Sequence, residues 1–240
     1  MRVTWLGHAT VLVEAGGARL LTDPVLRGRV AHLRRHAPPA APPRDVDAVL
    51  VSHAHHDHLD LPTLRALGPV ALTVVPPGAG RAVAGARELA PGASVSVGAA
   101  RVTAVPAVHD VRRLPWHPAS DAIGYLIEHD GLRAYFAGDT EPFAAMAQLR
   151  PLDLALLPIW GWGPSLGPGH MDPGEAAGAL ELLQPRVVVP IHWGTLLPIG
   201  AARRHGHLLR QPVADFRREA AARCPGAHVT VLQPGEDLTL

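Results

Sequence analysis

His53-Ala54-His55-His56-Asp57-His58 sets four histidines and a carboxylate within six residues, directly after the apolar run Ala48-Val49-Leu50-Val51-Ser52. An extended backbone sends residues i and i+2 to one side, so His53 and His55 can aim two imidazoles at one metal ion. Asp57 and His58 follow past a turn. Zinc takes four ligands from cysteine, histidine and carboxylate, with Zn–N bonds of about 2.0–2.1 Å. This stretch can begin two metal sites but cannot complete both, so the missing ligands must come from elsewhere in the chain.

Three other strand-like runs end in groups of the same kind. His109 follows Val102-Thr103-Ala104-Val105-Pro106-Ala107-Val108, Asp139 follows Tyr135-Phe136-Ala137-Gly138, and His192 follows Val187-Val188-Val189-Pro190-Ile191. With the opening stretch this makes five histidines and two aspartates at strand exits, where loops can converge on one edge of a sheet. That donor count suits two ions.

The 240 residues, 48% of them hydrophobic, suit one large α/β domain or two small ones. A net charge of +1 argues against a nucleic-acid partner, which calls for a concentrated basic excess. All 22 basic residues are arginine, which excludes a lysine-bearing phosphate loop and Schiff-base chemistry on lysine. Cys224 is the single cysteine, so there is no internal disulfide and no thiolate cage, and a cytoplasmic setting is the expectation. No apolar run reaches the roughly 18 residues of a membrane span.

Gly16-Gly17 joins two apolar runs as a hairpin. Asp23-Pro24 opens a proline- and arginine-rich segment to Arg44, read either as a surface excursion or as a flap over the substrate. The pattern predicts helices over 61–67, 78–90, 143–149, 172–184 and 213–223, and strands over 70–75, 94–97, 101–105, 122–128, 133–137, 154–157, 186–191 and 228–232. Asp172-Pro173-Gly174-Glu175 reads as a helix start, with an aspartate cap, proline at the first position and glutamate one turn in. Two sheets packed face to face with helices outside satisfy this order, as does an ordinary three-layer fold.

His53-x-His55-x-Asp57-His58, His109, Gly138-Asp139-Thr140 and Pro190-Ile191-His192-Trp193-Gly194 resemble the motifs of the metallo-β-lactamase fold superfamily. The resemblance covers nearly the whole chain. It implies an α/β protein built as an αββα sandwich, one hydrolase domain over residues 1–240, and a dinuclear site at one sheet edge. The cofactors it implies are two divalent ions, usually zinc, with manganese or iron as alternatives. His53, His55 and His109 would hold the first ion, Asp57, His58 and His192 the second, with Asp139 bridging and His56 unassigned. Gly7-His8-Ala9-Thr10, Thr22-Asp23-Pro24 and Gly169-His170-Met171-Asp172-Pro173 further resemble the branch of N-acyl-phosphatidylethanolamine-hydrolysing phospholipase D and ascorbate-6-phosphate lactonases. That likeness implies a small-molecule or lipid-like substrate.

Two metals about 3.5–4 Å apart activate water and clamp the attacking and leaving oxygens. The expected reaction is hydrolysis of a phosphodiester or related phosphorylated small molecule, with a lactone as the alternative. Asp57 would orient the nucleophile, and His8 and His170 are candidates to stabilise developing charge or protonate the leaving group. A diiron redox reading on the same fold is disfavoured by His55, where those proteins resemble glutamate. Asp23 reads as a turn residue or a support to a ligand. Trp160, Trp162 and Trp116 are expected to line or rim the pocket, Trp5 to be core, and His32 to sit on a solvated loop.

Overall fold

The computed structural model describes residues 1–111 and 120–240; Trp116 lies outside the described residues. Two seven-stranded sheets dominate. The first runs, edge to edge, Asp237–Thr239, Arg2–Gly7, Thr10–Ala15, Ala18–Thr22, Ala48–Leu50, Leu72–Val75 and Arg87–Glu88. The second runs His228–Val229, Val187–Ile191, Leu154–Pro158, Leu132–Phe136, Ile123–His129, Ala100–Pro106 and Ser94–Val97.

Strand alternation explains how the sheets stack. Val11 and Val13 face the core shared with the second sheet, while Leu12 between them faces outward into a smaller cluster. Leu20 and Leu21, Leu50 and Val49, and Val74 and Val75 divide the same way, so a run apolar at every position serves two buried faces. The helix Leu61–Leu67 covers the outer cluster. Pro173–Leu183 and Gln211–Arg223 cover the second sheet through Ala176, Leu180, Leu183 and Phe216. The order of layers is helix, sheet, sheet, helices, as expected. Between the sheets lie Trp5, Tyr125 and Phe136, each fully buried and each contributing about 1.5–3 kcal/mol of apolar burial; Tyr135, also fully buried, faces the other side of its strand.

Strand direction places the site. Ala18–Thr22 and Ala48–Leu50 are parallel neighbours, so Asp23 and the histidine stretch leave the first sheet at one edge. Leu132–Phe136, Leu154–Pro158 and Val187–Ile191 are also mutually parallel, so Asp139, Trp160 and His192 leave the second sheet together. The pattern is the general one in which functional groups gather beyond the carboxyl ends of parallel strands.

Three expectations need correction. Residues 78–90 do not form a helix: the segment holds a short 3-10 turn, Gly80–Ala82, and the strand Arg87–Glu88. Gly78 and Gly85 take φ of +84° and +78°, and the Gly78 and Gly80 N–H groups both donate to Glu88 Oε1, so alanine propensity loses to backbone freedom and a competing acceptor. The segment after Asp23 is neither a bare loop nor a free flap. Arg29–Val30 and Leu33–Arg35 pair with each other and with Leu196–Pro198 as a third sheet. The C-terminal strand shortens to His228–Val229, and Asp237–Thr239 adds an edge beside Arg2–Gly7, joined by the Arg2–Asp237 ion pair.

Candidate metal centre

The strand exits bring all seven expected donors together. His53 Nε2 lies 2.9 Å from His55 Nδ1, and His109 Nε2 lies 3.1 Å from the same atom. His58 Nε2 stands 3.0 Å from His192 Nε2, and Asp139 reaches these two rings with Oδ2 at 3.1 Å and Oδ1 at 3.2 Å. Asp57 Oδ2 is 3.7 Å from His58 Nε2 and 3.8 Å from His192 Nε2. His53 and His58 rings are 4.1 Å apart, so the two groups form one continuous cluster. His56 points away and is exposed.

Proton accounting tests whether metal ions suit this arrangement. His109 Nδ1 faces the Gly169 carbonyl at 2.7 Å, His192 Nδ1 faces the Trp160 carbonyl at 2.8 Å, and His55 Nε2 faces the Val111 carbonyl at 3.2 Å. A carbonyl only accepts, so those ring nitrogens carry the protons. His58 Nδ1 donates to Asp23 Oδ2 at 2.7 Å. Ser52 Oγ donates to Asp23 Oδ2 at 2.6 Å and therefore accepts from His53 Nδ1 at 3.0 Å. In the neutral rings every nitrogen turned into the cluster is then a lone pair. Lone pairs facing one another at 2.9–3.1 Å in the His53, His55 and His109 group repel, and the buried Asp139 Oδ1 finds no donor among the described residues. A cation between the atoms satisfies all of them. Ligand atoms about 2.0–2.1 Å from a tetrahedral ion are necessarily separated by distances of this order.

The electrostatics follow from burial and these contacts. Burial, then the neighbouring His58, holds His53 well below its ordinary pKa; for His192 burial is again the main cause. Neutral rings are what metal ligation requires. Burial opposes ionisation of Asp57 and Asp139, but the His8 hydrogen bond and the charge of His58 on Asp57, and His192 and His58 on Asp139, carry both well below the usual carboxylate range. Burial would lower His58 too, yet Asp139 and Asp23 raise it well above 6.5. A metal ion has to displace that proton.

Around the donors stands a supporting layer. Asp23, fully buried, accepts from the Ser52 N–H at 2.7 Å as well as from Ser52 Oγ and His58, so it supports a ligand as expected. His8 is 1% exposed; its Nε2 lies 3.1 Å from Asp57 Oδ2 and its ring packs at a tilt of 34° against His192, with centroids 3.9 Å apart. The His8 carbonyl accepts the His192 N–H. His8, Asp23 and His192 all take positive φ, +55°, +33° and +63°, a conformation uncommon outside glycine that clusters at functional sites. His170 Nε2 lies 3.3 Å from Asp139 Oδ2, while its Nδ1 donates toward the Gly167 and Pro168 carbonyls. Burial lowers its pKa, and the hydrogen bond to Asp139, the Asp139 charge and the Gly167 carbonyl together outweigh that, leaving it raised.

Several contacts were not foreseen. Trp162 Nε1 donates to Asp57 Oδ2 at 2.9 Å, and His32, exposed on a turn as expected, also sets its ring edge-on against Trp162 at 4.8 Å. Glu141 accepts the Gly169 N–H at 2.7 Å, steadying the carbonyl that orients His109. Trp5 is core as expected, stacked on Trp193 at 5.4 Å. Ser52 and Glu141 adjoin the metal motifs in sequence, the only signal that could have marked them.

Comparison with known proteins agrees with this geometry. Residues 18–193 match the Beta-lactamase superfamily domain. The chain is 34% identical to a UPF0173 metal-dependent hydrolase of Thermococcus kodakarensis and 35% identical to one of Pyrococcus furiosus, in each case over 100% of both proteins. Igni18, a metallo hydrolase from Ignicoccus hospitalis, superposes with a TM-score of 0.72 at 24% identity, covering 99% of this chain and 97% of that one. Among the described residues no helix is long and apolar enough to cross a membrane. A motif set at the strand exits, a donor cluster that calls for cations and full-length relatives of one kind lead to the same place: the chain belongs to the β-lactamase superfamily and, within it, to the UPF0173 metal-dependent hydrolases.

Proposed function

We propose that residues 1–240 act as one hydrolase that uses two divalent ions, zinc in the first instance, to cleave a phosphodiester or related phosphorylated small molecule. His53, His55 and His109 hold the first ion, Asp57, His58 and His192 the second, and Asp139 lies between them. The observation that carries this reading is the set of imidazole lone pairs of His53, His55 and His109 facing each other at 2.9–3.1 Å, each ring fixed by a partner on its other nitrogen. Nitrogen-rich donors suit zinc, and also manganese or iron less selectively. Such a pair of ions supplies a water activated near neutral pH and neutralises charge on the departing oxygen.

The chain's own groups do the rest. Asp139 spans the two sets of nitrogens with its two oxygens. Asp57, at the foot of the Trp162 loop, orients the nucleophile. His170 keeps a proton to higher pH than a free imidazole because Asp139 faces it, and is the residue placed to hand that proton to a leaving group. Its side chain is 20% exposed, so a substrate can reach it.

The test is metal analysis of the purified protein together with hydrolysis of bis-p-nitrophenyl phosphate, phosphomonoesters and lactones. The expected result is two ions per chain, diester turnover, and loss of both turnover and metal in Asp139→Ala. Turnover of lactones alone would replace the substrate class. A fully loaded protein inert on every ester would refute hydrolysis, and stoichiometric iron with redox activity would refute the metal assignment.

A further inference from the structure

His8 was expected to act on the substrate, but its surroundings assign it elsewhere. The ring is 1% exposed, packed against His192, with Nε2 on Asp57 Oδ2 at 3.1 Å. The same carboxylate oxygen accepts the Trp162 indole N–H at 2.9 Å from the opposite loop. Asp57 is 3% exposed, and its Oδ2 stands 3.7–3.8 Å from the His58 and His192 nitrogens, whereas those two nitrogens are 3.0 Å from each other. The carboxylate is thus held at the outer boundary of the cluster by two N–H groups. Both donors are held by neighbouring groups. The His8 backbone is pinned by its N–H to Thr195 Oγ1 and its carbonyl to the Trp5 indole, and the Trp162 ring is seated edge-on against His32.

We propose that His8 and Trp162 form a two-donor clamp on Asp57 Oδ2 that fixes this carboxylate as a ligand and thereby sets the affinity of the second metal position. Both are assigned as positioning residues that act through Asp57, with His8 also packed against His192 and within the group His8, Asp57, His58 and His192. The clamp rests on the two-ion reading above. A carboxylate ligand that accepts hydrogen bonds from fixed donors loses little freedom when it binds an ion, and removal of such partners lowers metal affinity about 10–100-fold. The clamp also joins the third sheet to the metal cluster, because His32, on the segment between its strands, braces the indole that holds Asp57.

The experiment strips the full-length protein of metal and titrates it with Zn2+ against a chromophoric chelator, resolving the two binding steps. Trp162→Phe keeps an aromatic ring on this loop but removes the indole N–H together with part of the ring, so its melting in the metal-free state is the control for lost packing. In this variant the step belonging to the second position should weaken about 10–100-fold, with the other step and the melting of the metal-free protein unchanged. His8→Asn, suited to the left-handed backbone but too short to reach Oδ2, should weaken the same step, and His8→Gln, which restores an N–H at longer reach, should recover part of it. If both His8 variants fail to fold, Trp162→Phe decides alone. Two wild-type steps that are both unchanged in Trp162→Phe, or that both fall equally, would overturn the clamp and leave the two-ion reading standing. A single wild-type step would overturn the two-ion reading and the clamp with it.

Discussion

Asp23→Asn changes one atom and should disable metal binding without unfolding the protein. Asp23 Oδ1 accepts the Ser52 backbone N–H at 2.7 Å, a donor that cannot move, so the asparagine carbonyl must stay there. The amide NH2 then takes the place of Oδ2, which accepts from His58 Nδ1 at 2.7 Å and from Ser52 Oγ at 2.6 Å. Two donors would now meet a donor. Relief comes if His58 moves its proton to Nε2 and if the Ser52 hydroxyl turns to His53 Nδ1 at 3.0 Å, sending the His53 proton to its own Nε2. Both changes aim an N–H at a metal position. Each such disturbance of a ligand's partner weakens metal binding about 10–100-fold, or about 1.4–2.7 kcal/mol. The metal-free protein is affected less: burial pushes the Asp23 carboxyl pKa up, so a neutral amide removes a desolvated charge while any mismatched hydrogen bond costs about 1–3 kcal/mol. Chelator competition should show both metal steps weakened, and thermal melts should show stabilisation by added Zn2+ reduced by about 2.7 kcal/mol for each hundredfold loss. Two metal steps indistinguishable from wild type, in a variant that folds, would refute the proton accounting on which the centre rests.

Other perturbations read separate parts of the site. Gly169→Ala puts a methyl group 2.6 Å from His109 Nδ1 at a backbone φ of +80°, so the first metal position should lose affinity while the second keeps its own; equal retention of both would contradict the placement of His109. Because Asp139 and Asp23 raise the His58 pKa well above 6.5 against its burial, a metal ion must displace this proton, and affinity at the second position should fall about tenfold per unit as pH drops below the folded His58 pKa. The same raised value stabilises the metal-free fold at low pH, fully below the unfolded pKa of about 6.5, and that contribution is lost as pH rises through the folded one; a pH-independent metal affinity would refute this reading. Asp60 caps the helix Leu61–Leu67 by accepting the Thr63 N–H and pairs with Arg27 through both oxygens, so Asp60→Ala should lower urea stability by about 1–2 kcal/mol. Burial raises the Asp60 pKa, but the Arg27 and Thr63 hydrogen bonds lower it further, so its contribution is present above the ordinary carboxylate range and lost as pH falls through the depressed value.

The metal stretch was legible because its donors follow strand ends, where such groups gather, although the chain bends at Ala54-His55 and turns at His56–His58 rather than running on extended. That rule needs only local sequence, and the structure brings His53, His55, Asp57, His58, His109, Asp139 and His192 together as it requires. The helix start at Asp172 was legible for the same reason, and its reciprocal contacts with Glu175 are present. What could not be read depends on distant partners. Arg29–Val30 and Leu33–Arg35 are too short to show a period, and they become strands only because Leu196–Pro198 lies beside them. Their segment is pinned by Arg35, whose guanidinium donates to the Leu6 and Val25 carbonyls, contacts no local pattern announces. Alanine-rich residues 78–90 misled because helix propensity is weak beside three glycines and a carboxylate that captures two backbone N–H groups.

The supporting contacts divide the centre unevenly, and that division separates the variants above. Asp23 touches His58 directly and reaches His53 through Ser52, so one buried carboxylate sets the tautomer of a histidine in each metal group. Trp162 and His8 meet at Asp57, and Gly169 and Glu141 act on His109. Replacement of Asp23 must therefore weaken both steps, Trp162→Phe the second alone, and Gly169→Ala the first alone. A cluster of loosely placed surface histidines would show no such pattern, because each side chain would adjust independently of its neighbours. Ser52→Ala adds the remaining case: it removes the acceptor for His53 Nδ1 but leaves the Asp23–His58 contact intact, so it should weaken the first position and spare the second. Were Ser52→Ala to act on both, the separate control of His53 through Ser52 and of His58 through Asp23 would be refuted.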